Sequence, residues 1–186
     1  MKKQFILALI LPFILCMSAL AAPPTDKYDG LIKQAVEKHQ PAEPGNVFWH
    51  KARIMQESGF DPYAVSPVGA MGLCQFIQAT ATAMNVDPYD PGSSIDGMIR
   101  YTSWIESYYK ERSYWFTKTT ATDKQMIVDA GYNWRMDRIT RICRMYGWTW
   151  EALQWRLPQE TRNYSPSIQK WKQKFEADYR KKKPLT

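Results

Sequence analysis

The chain has 186 residues, of which 45% are hydrophobic and 23% charged, and its formal net charge is +7. These values are typical of a globular protein and exclude a disordered chain, a collagen-like repeat and a multi-span membrane protein. Three cysteines are too few for a disulfide-framework mini-protein, and two histidines argue against a His-rich metal site.

Residues 1–21 have the pattern of a secretory signal peptide. Two lysines at positions 2 and 3 precede an apolar run from Phe5 to Met17, and Ala19-Leu20-Ala21 follows. The run is shorter than the ~20 apolar residues that span a bilayer. We therefore predict cleavage after Ala21 and export to the periplasm or cell envelope, with an uncleaved anchor as the alternative.

Positive charge is concentrated at the C-terminus. Residues 164–186 hold seven basic and two acidic residues, whereas residues 22–163 are neutral. We expect this segment to be a basic amphipathic helix or tail, which could attract polyanions or simply be a solvated helix end. Export makes nucleic acid a poor candidate partner, and we expect no nucleic-acid binding.

Apolar residues recur at helical spacing through most of the chain. The first predicted helix runs from Asp26 to His39, and the second runs from Asn46 to about Gln56. Prolines and glycines make residues 59–76 irregular. Further helices are predicted near 78–84, from a Ser94 cap, from a Thr122–Gln125 capping box, over 135–145, and from Ser165-Pro166. No alternating strand pattern exceeds five residues, so residues 22–163 are predicted to form one all-α domain.

Motif searches exclude several kinds of catalytic site. The sequence has no HExxH, CxxC, EF-hand or Gly-rich phosphate-loop pattern, so we expect no metal and no cofactor. His39 and His50 are the only histidines, and neither lies near a Gly-x-Ser-x-Gly element. Carboxylate chemistry is the main option that remains.

Glu57 is the strongest local candidate for that chemistry. It lies at the end of the second predicted helix, beside Ser58 and Gly59, where the chain turns. A carboxyl partly desolvated under the following loop has a raised pKa and keeps its proton near neutral pH, as a general acid requires. On this pattern alone, a solvated glutamate at a helix end is the simpler alternative.

The run from Glu57 to Ala81 resembles the signature of the soluble lytic transglycosylase (SLT) family, bacterial enzymes that cleave peptidoglycan. It contains Glu-Ser-x-Phe, Ala-x-Ser, Gly-Ala-x-Gly-Leu-x-Gln and Thr-Ala in the family's order, without a gap. Tyr132-Asn133 and the Glu160-Thr-x-x-Tyr164 element are similar to later family segments. The sequence departs from the family at Cys74 and after Asn133, where Trp-Arg-Met replaces Ala-Gly-Pro.

The resemblance implies a single lysozyme-like, all-α domain of the goose-type/SLT kind and cleavage of the β-1,4 bond between N-acetylmuramic acid and N-acetylglucosamine. It implies one acidic residue, Glu57, which protonates the bridging oxygen and then takes the proton of the muramoyl 6-hydroxyl as a 1,6-anhydro ring closes. It also implies that the substrate is bound by Ser66, Gln75, Tyr132, Asn133, Glu160 and Tyr164.

Two alternatives stay open at this point. A lysozyme-type hydrolase on the same fold would release products one water heavier. A wall-binding accessory protein of a secretion or conjugation apparatus would need no catalysis, and the machinery would be its partner. In each case we expect peptidoglycan glycan strands as the ligand and a monomeric chain.

Several residues near these motifs are given structural interpretations. We interpret Asp61, the nearest rival as a second carboxylate, as a loop residue. The tryptophans at positions 148, 150 and 155 are predicted to lie in the core. The arginines at 135, 138, 141 and 144 are predicted to form a helical ridge that either meets carboxylates of the wall or its peptides or is a solvated face. Cys74 and Cys143 could form a disulfide after export or could be separate buried thiols.

Overall fold

The computed structural model describes residues 26–182, so the predicted signal peptide lies outside the described residues. The described part contains no β-strand, and its only β pairings are two isolated bridges in the loop after α2. The all-α prediction is therefore confirmed. The helices are α1 (Asp29–His39), a 3-10 turn (Pro44–Asn46), α2 (Val47–Ser58), α3 (Gln78–Met84), α4 (Pro91–Arg112), α5 (Tyr114–Lys118), α6 (Ala121–Asn133), α7 (Met136–Tyr146), α8 (Trp150–Gln154) and α9 (Gln159–Lys182).

Two helices begin earlier than predicted because a different side chain caps them. The Asp90 side chain accepts a hydrogen bond from the backbone N–H of Ser93 and Pro91 occupies the first turn, so α4 begins before Ser94. Thr120 accepts a hydrogen bond from the backbone N–H of Asp123 and is the N-cap of α6. The helix therefore begins at Ala121, two residues earlier than a cap at Thr122 predicts.

The last helix begins at Gln159 and not at Ser165-Pro166, which was the predicted start. Pro166 lies inside the helix, where it cannot donate a backbone hydrogen bond. Packing offsets this loss, because Tyr164 and Ser165 are buried and the Ser165 hydroxyl donates to the carbonyl of Met126 on α6 at 2.9 Å. The predicted boundary between residues 163 and 164 therefore falls within a continuous helix.

Helix α2 lies at the centre of the bundle. It packs against α1 and α9, and α6 packs against both α9 and α4. The six residues from Trp49 to Ile54 are all buried, although three of them are His50, Lys51 and Arg53. Buried charged side chains need partners, and here Lys51 pairs with Asp26 and Asp29 while Arg53 pairs with Asp129 of α6.

A tightly bonded loop covers the C-terminal end of α2. Gly59 ends the helix in the left-handed conformation, at φ 61°. The loop then folds on itself, with backbone bonds from Gly72 to Ala64 at 2.8 Å and from Met71 to Phe76 at 2.9 Å. At Gly72, where φ is 71°, an added Cβ would lie 1.7 Å from a backbone oxygen, so only glycine fits this crossing.

Other predictions about side-chain placement have mixed outcomes. Trp148 and Trp150 are buried as predicted, but Trp155 is 69% exposed in the turn between α8 and α9, so its assignment to the core is wrong. Cys74 and Cys143 are both buried and free. The four arginines of α7 and its N-cap are exposed, in agreement with a solvated face.

Among residues 26–182, no helix combines the length and apolar character that crossing a membrane requires.

Candidate active site

Glu57 occupies the last turn of α2, as the sequence predicted. The helix ends one residue later, at Ser58, because Gly59 turns the chain and its N–H bonds back to the carbonyl of Met55 at 3.1 Å. The loop of residues 59–77 begins at this point. Glu57 therefore lies on a rigid, buried helix but beside a surface loop, which is where a carboxyl can meet a ligand.

Tyr164 of α9 holds the Glu57 carboxyl. Its hydroxyl donates a hydrogen bond to Oε1 of Glu57, joining residues that are 107 positions apart in the sequence. Tyr164 is only 5% exposed, whereas Glu57 is partly buried. The carboxyl is thus bonded to α9, and the residue that carries it keeps part of its surface exposed.

Burial raises the pKa of Glu57 from its ordinary value of 4.5 to about 7. The hydrogen bond from Tyr164 and the positive charge of Arg53 both favour the carboxylate and limit this rise, whereas the charges of Asp129 and Glu160 add to it. Near neutral pH the protonated and ionised forms are therefore both populated. A group in this state can donate a proton and later accept one.

A fully buried ion pair lies beneath Glu57. Arg53, one helical turn earlier on α2, donates through Nε to Asp129 of α6 at 3.2 Å, and its Nη2 also contacts that carboxylate. Trp49 donates to the second oxygen of Asp129 at 2.9 Å. The Arg53 Nη1 lies 2.8 Å from Nδ1 of His50, and burial keeps the pKa of His50 well below its ordinary value, so the neutral ring accepts.

The sequence interpretation missed this pair. Arg53 and Asp129 both stand inside apolar helical stretches, and a charged residue at such a position is rarely buried without a partner. That pattern was the available signal, but the sequence alone does not show that residues 76 positions apart meet. Because Asp129 is occupied by Arg53 and Trp49, it is not a free second carboxylate for the site.

Tyr132, at the end of α6, is brought to the same region. Its hydroxyl donates to the carbonyl of Cys74 at 2.7 Å, and the Arg53 guanidinium lies 5.5 Å from its ring centroid. Tyr132 therefore fixes the loop after α2 to helix α6. The next predicted residue, Asn133, ends α6 and is partly buried.

Ser66 and Gln75 shape the loop from within. The Ser66 hydroxyl accepts from the backbone N–H of Ala70 at 3.0 Å. The Gln75 side-chain nitrogen donates to the carbonyls of Ala64 and Gly72 at 3.1 and 2.9 Å. These bonds use both amide protons of Gln75, which leaves its Oε1 as the atom suited to a ligand. A direct substrate contact by either residue stays a prediction.

The remaining carboxylates differ in their environment from Glu57. Glu160 is exposed in the first turn of α9, four residues before Tyr164, and its negative charge contributes to the raised pKa of Glu57. Asp61 is exposed, and its Oδ1 accepts from the backbone N–H of Tyr63 at 2.9 Å, as expected of a loop residue. Of Glu57, Glu160 and Asp61, only Glu57 is partly buried and bonded to Tyr164.

The comparisons with known proteins point to the same region. The family described as "Transglycosylase SLT domain" matches residues 46–135. The membrane-bound lytic murein transglycosylase F of Hahella chejuensis is 34% identical over 110 residues, which is 58% of this chain and 19% of that protein. The protein of the same name from Haemophilus influenzae is 35% identical over 88 residues, covering 43% of this chain and 17% of the relative. The chain thus spans less than a fifth of the length of these relatives.

Proposed function

We propose that this chain, which carries a transglycosylase SLT domain of the lysozyme-like, all-α class, is a peptidoglycan lytic transglycosylase with Glu57 as its single acid and base. The observation that carries the proposal is the Glu57 carboxyl itself, which is partly buried, bonded to Tyr164, and has a pKa of about 7. The relatives are named for murein cleavage, which fits this substrate.

The reaction needs one proton donor and one proton acceptor in sequence. Protonated Glu57 donates its proton to the oxygen between N-acetylmuramic acid and N-acetylglucosamine, and the bond from that oxygen to C1 of the muramoyl ring breaks. The ionised carboxylate then takes the proton of the muramoyl 6-hydroxyl, whose oxygen bonds to C1. A 1,6-anhydro ring forms, no water is consumed, and Glu57 is protonated again.

The structure supplies reasons for both steps. Desolvation favours the protonated form that starts the cycle, and the Tyr164 hydroxyl stabilises the carboxylate that exists between the two proton transfers. Glycosidases of the two-carboxylate kind need a second acid about 5–10 Å away. Asp129 cannot serve, because it is buried against Arg53, and Asp61 is engaged in a surface turn.

The other predicted site residues receive supporting roles in this proposal. Ser66 and Gln75 set the shape of the loop that borders Glu57, with the Gln75 Oε1 offered to an N-acetyl or hydroxyl donor. Tyr132 anchors that loop, and Asn133 and the exposed Glu160 offer polar groups to the sugar. We also propose that the chain acts as a monomer after export to the cell envelope.

The test is a digest of purified sacculi analysed by mass spectrometry. The wild-type protein should release anhydromuropeptides, and Glu57→Gln should release none, because glutamine cannot donate the proton. Glu151→Gln is the matched control, since Glu151 is an exposed glutamate in the first turn of α8. Products heavier by one water would establish a hydrolase instead. Sacculus binding without any product from the wild type would favour the accessory-protein hypothesis.

A further inference from the structure

Three aromatic side chains form a row on the outer face of α4. Tyr101, Trp104 and Tyr108 are spaced three and four residues apart, so they share one side of the helix. The ring centroids of Tyr101 and Trp104 are 5.8 Å apart, and those of Trp104 and Tyr108 are 6.1 Å apart. We call these three residues the α4 aromatic row.

The row is continuous with the candidate active site. The ring of Tyr101 lies 5.5 Å from the ring of Tyr132, whose hydroxyl holds the loop beside Glu57. One ring of α6 and three rings of α4 therefore follow one another, starting beside the candidate site.

Core packing explains only part of the row, because Tyr101 and Tyr108 pack against the hydrophobic core whereas Trp104 is largely exposed. Four neighbouring α4 residues, Ile95, Met98, Ile99 and Ile105, are fully buried and supply the core. Trp104 is 47% exposed, and its two row neighbours are only partly buried. A tryptophan left half in water on a long helix gives the fold little, whereas an exposed aromatic surface is a common feature of binding sites.

The far end of the row is positively charged. The Arg112 guanidinium lies 3.6 Å from the centroid of the Tyr108 ring. Arg112 also lines a cavity of about 770 Å³, and no lining residue of this cavity is acidic. Glu111 lies outside that lining but contacts Arg112 at 3.4 Å. The charged and aromatic residues of the cavity wall are Arg112, Tyr114, Trp115, Lys118, Arg144 and Trp148.

We propose that the α4 aromatic row is an extended glycan-binding surface, which holds the peptidoglycan strand beyond the bond that is cleaved. Sugar rings pack their apolar C–H faces on aromatic side chains, and a β-1,4-linked strand presents such faces at regular intervals, as the row presents its rings. The stem peptides of the strand carry carboxylates, which the cations at the Arg112 end would attract. This inference rests on the proposed function, since it concerns the same polymer.

The binding test uses Glu57→Gln protein, which cannot degrade the ligand, and measures its affinity for purified sacculi by co-sedimentation. Adding Trp104→Ala should weaken binding roughly three- to tenfold, the effect of losing one well-packed aromatic contact. Trp104→Phe should retain most of the affinity, because it keeps an aromatic face. Unchanged affinity in the Trp104→Ala protein would overturn the proposal.

Tyr179→Ala is the matched control for this measurement. Tyr179 is also 47% exposed, but it lies near the end of α9 and its ring packs against Phe48 at 5.4 Å instead of the α4 row. Its replacement should leave sacculus binding unchanged. Equal losses in the two alanine variants would show that any exposed aromatic residue has this effect, and would also contradict the proposal.

A kinetic comparison separates a glycan contact from a general structural effect. In the active protein, Trp104→Ala should lower kcat/KM on sacculi more than on a tetrasaccharide fragment, with the loss in KM. Equal losses on both substrates would indicate a damaged fold and overturn the assignment. If the wild type cleaves neither substrate, the proposed function fails independently of Trp104, and binding by the Glu57→Gln protein still decides the role of the row.

Discussion

Replacing Glu57 with glutamine is expected to change how the stability of the protein depends on pH. The pKa of this carboxyl rises from 4.5 to about 7 on folding, so the folded state binds its proton more tightly than the unfolded state does. A difference of this size changes the free energy of unfolding by about 3 kcal/mol between low and high pH. Glutamine has a similar shape but cannot ionise, and it removes this dependence.

The sign of the effect follows from the two pKa values. Below about pH 4.5 Glu57 is protonated in both the folded and the unfolded state, so it does not lower the free energy of unfolding. As the pH rises toward about 7, the unfolded state gains stability by ionising while the folded state does not, so the wild type loses stability through this interval. The Glu57→Gln variant should therefore gain about 3 kcal/mol relative to the wild type between about pH 4 and pH 8.

Denaturant unfolding or thermal melting at these two pH values measures the difference. A gain of about 3 kcal/mol corresponds to roughly 6–12 °C in Tm for a domain of this size. Any fixed cost of the amide cancels, because it is present at both pH values, and all other ionisable groups are shared by the two proteins. An equal pH dependence for wild type and variant would show that Glu57 has an ordinary environment and would refute the basis of the proposed mechanism.

Three further substitutions test the surroundings of the site. Tyr164→Phe removes the hydroxyl that stabilises the carboxylate, so the alkaline limb of the kcat/KM profile should move upward by about one pH unit. Asp129→Asn leaves the Arg53 charge buried without its partner and should destabilise the fold by about 3–5 kcal/mol in urea unfolding, whereas an effect below about 1 kcal/mol would contradict the buried pair. Gly72→Ala should cost more stability than Gly59→Ala, because both have positive φ but only the first places a Cβ against backbone.

The sequence predicted the parts of the site that local chemistry determines. Glu57 could be placed in the last turn of a helix because Gly59 follows it and an apolar stripe precedes it. The irregular loop followed from its prolines and glycines. The helix starts were less accurate at Asp90 and Thr120, since several neighbouring residues could cap and only the folded backbone selects one.

Contacts between segments that are distant in the sequence could not be predicted from it. The bond between Tyr164 and Glu57 and the pair of Arg53 with Asp129 depend on how α9 and α6 pack against α2. Trp155 belongs to the same aromatic cluster in the sequence as Trp148 and Trp150, yet the turn before α9 leaves it in solvent while the other two are buried. Hydrophobicity alone does not distinguish an aromatic residue that packs inside from one that faces water.

In the proposed mechanism the 6-hydroxyl of the substrate, and not water, replaces the leaving sugar while Glu57 carries the proton. Digestion of sacculi in water enriched in ¹⁸O tests this most directly, since a hydrolase must place one solvent oxygen on the new muramoyl end. Mass spectra of the wild-type products should show anhydro ends without ¹⁸O, and Glu57→Gln should give no new ends. Products carrying one ¹⁸O atom at the muramoyl C1 would contradict the mechanism.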